Sequence, residues 1–504
     1  MNRFLPSLLL ALASFWWLST ASQAETFKLE LKRFREQTKP GAKEPATSAA
    51  YLQHLSSPQH FFMQILEKET PKAVENEHTA EFKKIVKTEP KYKSPQPFRG
   101  VATLGSEKYA FTLDSKDEKS GGYTRLYFDR NHNGDLTDDK VLEAEKTEGI
   151  LTPSRASQFP PIDLTVTADA KKLEYGCVLS AYWHGAGQFK YVSASLIAAV
   201  YREGDVVLDG KKRPIVLIDA NSNGRFDDEL KVREDVQGGD GEVYSEPGDL
   251  LLVDPDPKTI GQRWFASAAM GPGHPVSKVL CIDGRFYDVK ISAAGDTITL
   301  APLRAEVGNV SSAHEGFHAL LYSDRGAVKI ACDKSAPTPL PAGEWKLLAY
   351  SIDRPGWKEP PRPAEKEKEK PPKPAEPTKV ERSLLEILMG AVTGRSGDDA
   401  ELEIGPVLQG GPTTVSATGA KNCPAVKVRA GQTVALPFGP PYKPLVKAYP
   451  LGDGRQVRLQ LALAGAAGEI CDDLMVRGAR PAKPEFTIKN PKGEVVETGK
   501  FDYG

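Results

Sequence analysis

Leu126-Tyr127-Phe128-Asp129-Arg130-Asn131-His132-Asn133-Gly134-Asp135-Leu136-Thr137-Asp138-Asp139 runs an apolar strand straight into an Asp/Asn-rich loop. Leu217-Ile218-Asp219-Ala220-Asn221-Ser222-Asn223-Gly224-Arg225-Phe226-Asp227-Asp228-Glu229 repeats the same events in the same order. Each has a strand of β-favouring residues, then Asp-x-Asn-x-Asn-Gly, one apolar residue and an acidic cluster. Only these two segments align, so the repeat is a strand-plus-loop module and not a solenoid, which would repeat along the whole chain.

Short strands continue on both sides. Val101-Ala102-Thr103-Leu104, the turn Gly105-Ser106 and Tyr109-Ala110-Phe111-Thr112-Leu113 read as a hairpin. Alternating or continuous apolar runs recur around Ile162–Val166, Ser193–Val200, Val206–Leu208, Ile215–Ile218, Phe286–Ile291 and Ile298–Leu300. With 44 Gly and 40 Pro to break them, the pattern predicts a mainly β chain. It is expected to comprise several β-sandwich or sheet modules, a short helical N-terminal arm and an inserted Pro/Lys/Glu-rich spacer.

The expected boundaries follow changes of texture. Residues 25–97 form a charged arm with one or two short helices, its apolar residues gathered at Phe61–Leu66 and Phe82–Val86, the latter with helical spacing. Residues 98–305 form the β-rich domain that carries both loops. Residues 306–440 form a β-sandwich with a disordered insertion at 358–382, where Pro alternates with Lys and Glu and cannot bury a core. Ser383 to Val392 reads as a short amphipathic helix carrying Leu384, Leu385, Leu388 and Val392 on one side. Residues 441–504 form a C-terminal sandwich whose last strand is either an edge or the end of an incomplete module.

The two loops place oxygen side chains at alternate positions of a tight bend, the arrangement a hard cation with six to eight oxygen ligands requires. The candidate ligands are Asp129, Asn131, Asn133 and the Asp135 carbonyl in one, and Asp219, Asn221, Asn223 and the Arg225 carbonyl in the other. A closing carboxylate is expected from Asp138 or Asp139, and from Asp227, Asp228 or Glu229. The competing reading is a pair of Asn-Gly turns with charged flanks. The loops resemble EF-hand and dockerin-type calcium loops, which implies two Ca²⁺ sites of modest affinity. They depart at the twelfth position, where the bidentate Glu of EF-hands is Lys140 and Leu230. A strand precedes each loop, so structural clips are expected and not a calcium-triggered helix opening. Leu340-Pro341-Ala342-Gly343-Glu344-Trp345 resembles the turn before a late strand in carboxypeptidase-regulatory or immunoglobulin-like modules, which implies a non-catalytic sandwich.

The N-terminus reads as a cleaved export signal. Arg3 precedes a short apolar run from Leu8 to Leu18, and Ser22-Gln23-Ala24 supplies small residues before a cut at Glu25. The run breaks up before the roughly 20 apolar residues of a spanning helix, and no transmembrane segment is expected in the mature chain. With 67 acidic against 66 basic residues there is no basic excess to neutralise phosphates, so nucleic acid is not an expected partner. The five cysteines, Cys177, Cys281, Cys332, Cys423 and Cys471, form no CxxC pair. Buried thiols are the expectation, with Cys423–Cys471 the pairing to check.

His314-Glu315-Gly316-Phe317-His318 matches the HExxH zinc-peptidase pattern, which needs a helix to bring both imidazoles to one face. The glycine within it and the strand pattern after it argue for a loop. Trp183-His184 and Trp264-Phe265 are candidates for a carbohydrate face, against the competing reading of buried aromatics. The whole run of features resembles large secreted bacterial proteins of unknown activity, in which calcium-loop β modules precede immunoglobulin-like sandwiches. The expectation is an exported, calcium-stabilised structural or binding protein of the periplasm or cell surface, with no catalytic residues assigned. Its partner would be an unidentified protein or carbohydrate, and zinc metallopeptidase is the alternative.

Overall fold

The computed structural model describes residues 24–34, 58–65, 77–116, 122–151, 154–185, 190–237, 239, 241–256, 271, 273–332, 335–354, 401–404, 413–451, 456–476, 478–490 and 492–503. The export signal upstream of Ala24, the spacer, the Ser383–Val392 helix and Trp264-Phe265 lie outside them. Among the described residues the chain is mainly β, and Glu77–Ile85 is the one helix. No helix among them is long and apolar enough to cross a membrane.

Four antiparallel sheets enclose the first core. Phe98–Leu104, Glu107–Asp114, Arg125–Phe128 and Leu142–Glu143 follow one another as a meander that delivers the chain to the first loop. A second sheet orders Gln59–Ile65, Lys190–Ala198, Lys171–His184, Ser154–Gln158 and Lys146–Leu151 side by side, with Ile162–Ala168 also pairing the long Lys171–His184 strand. The third contains Val200–Leu208 and Lys211–Ile218, a hairpin that delivers the chain to the second loop. Phe98, Phe111, Phe128, Leu164, Tyr175, Leu196 and Leu217 meet in the core they share.

The N-terminal arm is more deeply woven in than its charge suggests. Glu25–Lys28 pairs with Thr297–Pro302, and Glu30–Arg33 pairs with Val200–Leu208. Phe27, Leu29 and Leu31 alternate with charged residues, which is the period of a half-buried strand. The Phe61 cluster is also a strand, Gln59–Ile65, on the edge of the second sheet. Only the Phe82 cluster is helical, and Phe82 is buried against the meander.

The fourth sheet links two cores. In Val279–Ile282, Leu280 and Ile282 point into the first core while Val279 and Cys281 point into a second. A strand covered on both faces has no polar alternation, hence the run Val-Leu-Cys-Ile. The second core lies between an eight-stranded sheet and a three-stranded one of Thr338–Pro341, Val307–Ser311 and Thr433–Ala435. Trp345 is fully buried there, and its indole N–H donates to the Pro341 carbonyl at 2.8 Å.

The sheet crosses both proposed interruptions. Gly343–Asp353 pairs with Thr414–Thr418, and the Arg354 N–H donates to the Thr413 carbonyl at 2.7 Å, so the spacer interrupts one sandwich. Thr414–Thr418 pairs in turn with Ile470–Met475, and Lys443–Leu451 with Gln456–Ala464 extends the same sheet. Pairing therefore continues past residue 440. The last hairpin, Glu485–Lys489 with Val495–Lys500, joins Glu401–Ile404 in a separate three-stranded sheet.

Candidate metal sites

Both loops fold alike because short Asp and Asn side chains bond the backbone two to five residues on. Asp129 accepts from the Asn133 N–H at 3.1 Å and the Gly134 N–H at 2.9 Å, and Asp219 accepts from Asn223 at 3.1 Å and Gly224 at 2.8 Å. The third-position amide oxygen accepts from the fifth residue's N–H, in Asn131 at 3.1 Å and in Asn221 at 3.3 Å. The fifth-position amide oxygen accepts from the seventh, in Asn133 at 2.7 Å and in Asn223 at 2.9 Å.

The same acidic position completes each ring. The Asn131 and Asn133 amides donate to Asp138 at 3.4 and 2.7 Å, and the Asn221 and Asn223 amides donate to Asp228 at 3.2 and 2.8 Å. Positions three and five thus meet position ten in both loops, while position one holds the backbone of the bend. Asp139 instead accepts the Arg130 N–H at 3.3 Å, and Glu229 is exposed. The Asp135 carboxylate turns to Thr137, whose hydroxyl and N–H hold its pKa down. Arg225 reaches Asp227 and Asp169, so at position seven it is the backbone carbonyl that remains for the loop.

The bend requires left-handed backbone at positions four and six. His132 and Ser222 have φ of 62° and 58°, and Gly134 and Gly224 have 80° and 78°. A Cβ on Gly134 would also stand 2.5 Å from the Ile85 carbonyl oxygen. Gly134→Ala is therefore expected to cost about 1–3 kcal/mol, read as a lower chemical-denaturation midpoint.

Their surroundings differ. The first loop stays largely exposed and secures the helix: Lys87 donates to the Gly134 carbonyl at 2.8 Å, and Leu136 to Thr88 at 3.0 Å. The second lies where the sheets meet. Asn223 accepts from Gly105 at 2.6 Å, Phe226 donates to Ala293 at 3.0 Å, and the buried Ser222 hydroxyl accepts the Ala198 N–H at 3.0 Å. Tyr175, fully buried, donates its hydroxyl to Asp219 at 2.6 Å.

Asp249, which the sequence reading missed, braces the second loop from the far end of an intervening hairpin. Its carboxylate accepts from the Ala220 N–H at 3.1 Å and the Asp228 N–H at 2.9 Å, joining positions two and ten. It is completely buried. Burial, then the nearby Asp219 and Asp228, raise its pKa well above the usual carboxylate range. Burial likewise pushes Asp219 up to about 7, against the hydrogen bonds from Tyr175, Gly224 and Asn223.

Among the described residues, no group of three or more His, Cys, Asp or Glu side chains is placed to hold a metal ion. The loop donors are of another kind, two carboxylates with amide and carbonyl oxygens. Each amide oxygen that accepts one N–H keeps a second lone pair, so the set suits a hard, oxygen-seeking cation.

The HExxH reading does not survive the backbone. Gly316 has φ of 65°, His314 and Glu315 lie in a turn, and His318 is in the strand Phe317–Ser323, so the imidazoles share no helix face. All five cysteines are free, and burial raises the thiol pKa of each of Cys423 and Cys471. The Cys423–Cys471 pairing is absent. No family model, curated protein or solved structure matches the chain.

Proposed function

We propose that this protein is an exported, calcium-stabilised structural or binding protein acting in the periplasm or at the cell surface. The observation that carries the reading is the arrangement, twice, of a first-position Asp that holds a tight bend and two Asn amides that meet a tenth-position Asp. In the second loop the Asp219 and Asp228 carboxylates are near enough to repel, and burial sharpens the repulsion. A divalent ion would neutralise them. Because the ligand sets form only in the folded chain, binding energy becomes folding energy. The closing ligands are Asp138 and Asp228. Export rests on the tripartite N-terminal segment, with its charged start, apolar run and small residues before Glu25.

The test is thermal unfolding of the mature chain, metal-free and with millimolar calcium, for the parent and for Asp138→Asn/Asp228→Asn. These positions are better targets than Asp129 and Asp219, whose carboxylates hold the loop backbone even without metal. Calcium should raise the parent's melting temperature, and the double variant should lose most of that rise while keeping its metal-free value. An equal shift in both proteins would remove calcium from these loops.

A further inference from the structure

We infer that the outer face of the second sheet is a binding platform for a neutral polysaccharide. One face of that sheet is committed to the core through Phe61, Val192, Ala194, Leu179 and Ala181. Strand alternation sends the intervening residues outward. On Gln59–Ile65, Lys190–Ala198, Ser154–Gln158 and residues 178–184, every outward position is uncharged: none is Asp, Glu, Lys or Arg. In a chain that is 26% charged, an outward face of this extent would ordinarily carry several.

Aromatic rings stand on this face instead. Tyr191 lies 5.5 Å from Phe62 and 5.2 Å from His184, each inclined by 29°, and 6.0 Å from Tyr182 at 43°. The four rings form a tilted stack across three neighbouring strands. Phe62 in this stack is 57% exposed. Hydroxyl and imidazole groups border it in fixed directions. Ser154 holds His184 through Nδ1 at 2.8 Å, and Ser195 holds His60 through Nδ1 at 3.1 Å. The Nδ1 bond orients each ring and therefore directs its Nε2.

Charge and shape select the ligand class. A polyanion needs cations to replace its counterions, and the outward positions of these four stretches have none; the outward charges of the same sheet, Asp163, Lys172 and Glu174, lie at its other end. An acidic or basic peptide lying on these stretches would find no ion-pair partner among their outward positions. A sugar ring presents polarised C–H groups on one face and hydroxyls at its rim, which suits aromatic π-faces bordered by hydroxyls and imidazoles. A platform crossing several strands suits a chain of sugars better than a single one.

The test is affinity electrophoresis and titration calorimetry of the mature chain, in saturating calcium, against mixed-linkage β-glucan, xyloglucan, galactomannan and soluble starch. Alginate serves as the anionic control, and light scattering reports self-association. At least one neutral polymer should retard the protein and alginate should not. Phe62→Ala and Tyr191→Ala should each weaken binding about tenfold or more, the scale of a lost stacking contact. Tyr191→Phe should stay within about twofold of the parent. Phe62 being exposed, Phe62→Ala should melt with the parent, which keeps the test independent of folding. Retardation by none of the four neutral polymers, equal retardation by alginate, binding indifferent to both alanine variants, or a dimer dissolved by Phe62→Ala would each overturn the proposal. The inference is independent of the calcium reading, and the melting experiment above decides that one separately.

Discussion

Calcium is expected to raise the melting temperature by much more at pH 8 than at pH 5. The reason lies in the second loop, where Asp219 and Asp249 are buried together and both carboxyl groups are held above their usual range. In the unfolded chain they ionise near 4. A raised folded pKa means the folded state binds more protons between the two values, so stability falls as pH rises. The Asp219 contribution is full below about pH 4 and is lost as pH climbs through about 7. A bound divalent ion reverses this by keeping the carboxylates ionised in the folded state. Scanning calorimetry at both pH values, with and without calcium, measures the difference. A calcium gain that is no larger at pH 8, or that persists undiminished in Asp219→Asn, would sink the idea.

Asp249→Ala is the second large effect. The substitution leaves the buried N–H of Ala220 and the part-buried N–H of Asp228 without their acceptor. Each orphaned buried donor costs about 1–3 kcal/mol, so a loss of about 3–5 kcal/mol is expected with calcium bound. Without calcium at neutral pH the loss should be smaller, because the same change removes a carboxylate from beside Asp219 and Asp228. Chemical denaturation in the two conditions separates the terms. An equal loss in both would mean that Asp249 serves only as a hydrogen-bond acceptor.

The loops were legible in the sequence because their geometry is local. Every bond made between two residues of the same loop spans ten residues or fewer, so spacing alone carried the bend, the side-chain alternation and the acidic closure. Asp249 was not legible. It reaches the second loop across the hairpin Lys231–Gln237 with Val243–Glu246, and Pro247-Gly248-Asp249 looks like any turn. Its one local sign is Gly248, where a Cβ would stand 2.1 Å from the Asp228 carbonyl oxygen. The strands of residues 25–33 were obscured for a different reason. Their charged positions face solvent, and only Phe27, Leu29 and Leu31 mark the buried side. At His314 the motif matched by letters alone, and Gly316 decided the backbone.

The spacer enters and leaves the sandwich at a single point, since Arg354 and Thr413 are joined by a backbone hydrogen bond. Closing a longer loop over a fixed pair of ends costs only about 0.6 kcal/mol per doubling of its length. This junction is therefore a natural docking port for genetic cargo. A fluorescent domain with adjacent termini could be spliced in after residue 355, ahead of the strand Glu401–Ile404 that joins the last sheet, while Gly343–Asp353 and Thr414–Thr418 kept their register. Cleavage there would leave two polypeptides still paired through Gly343–Asp353 and Thr414–Thr418.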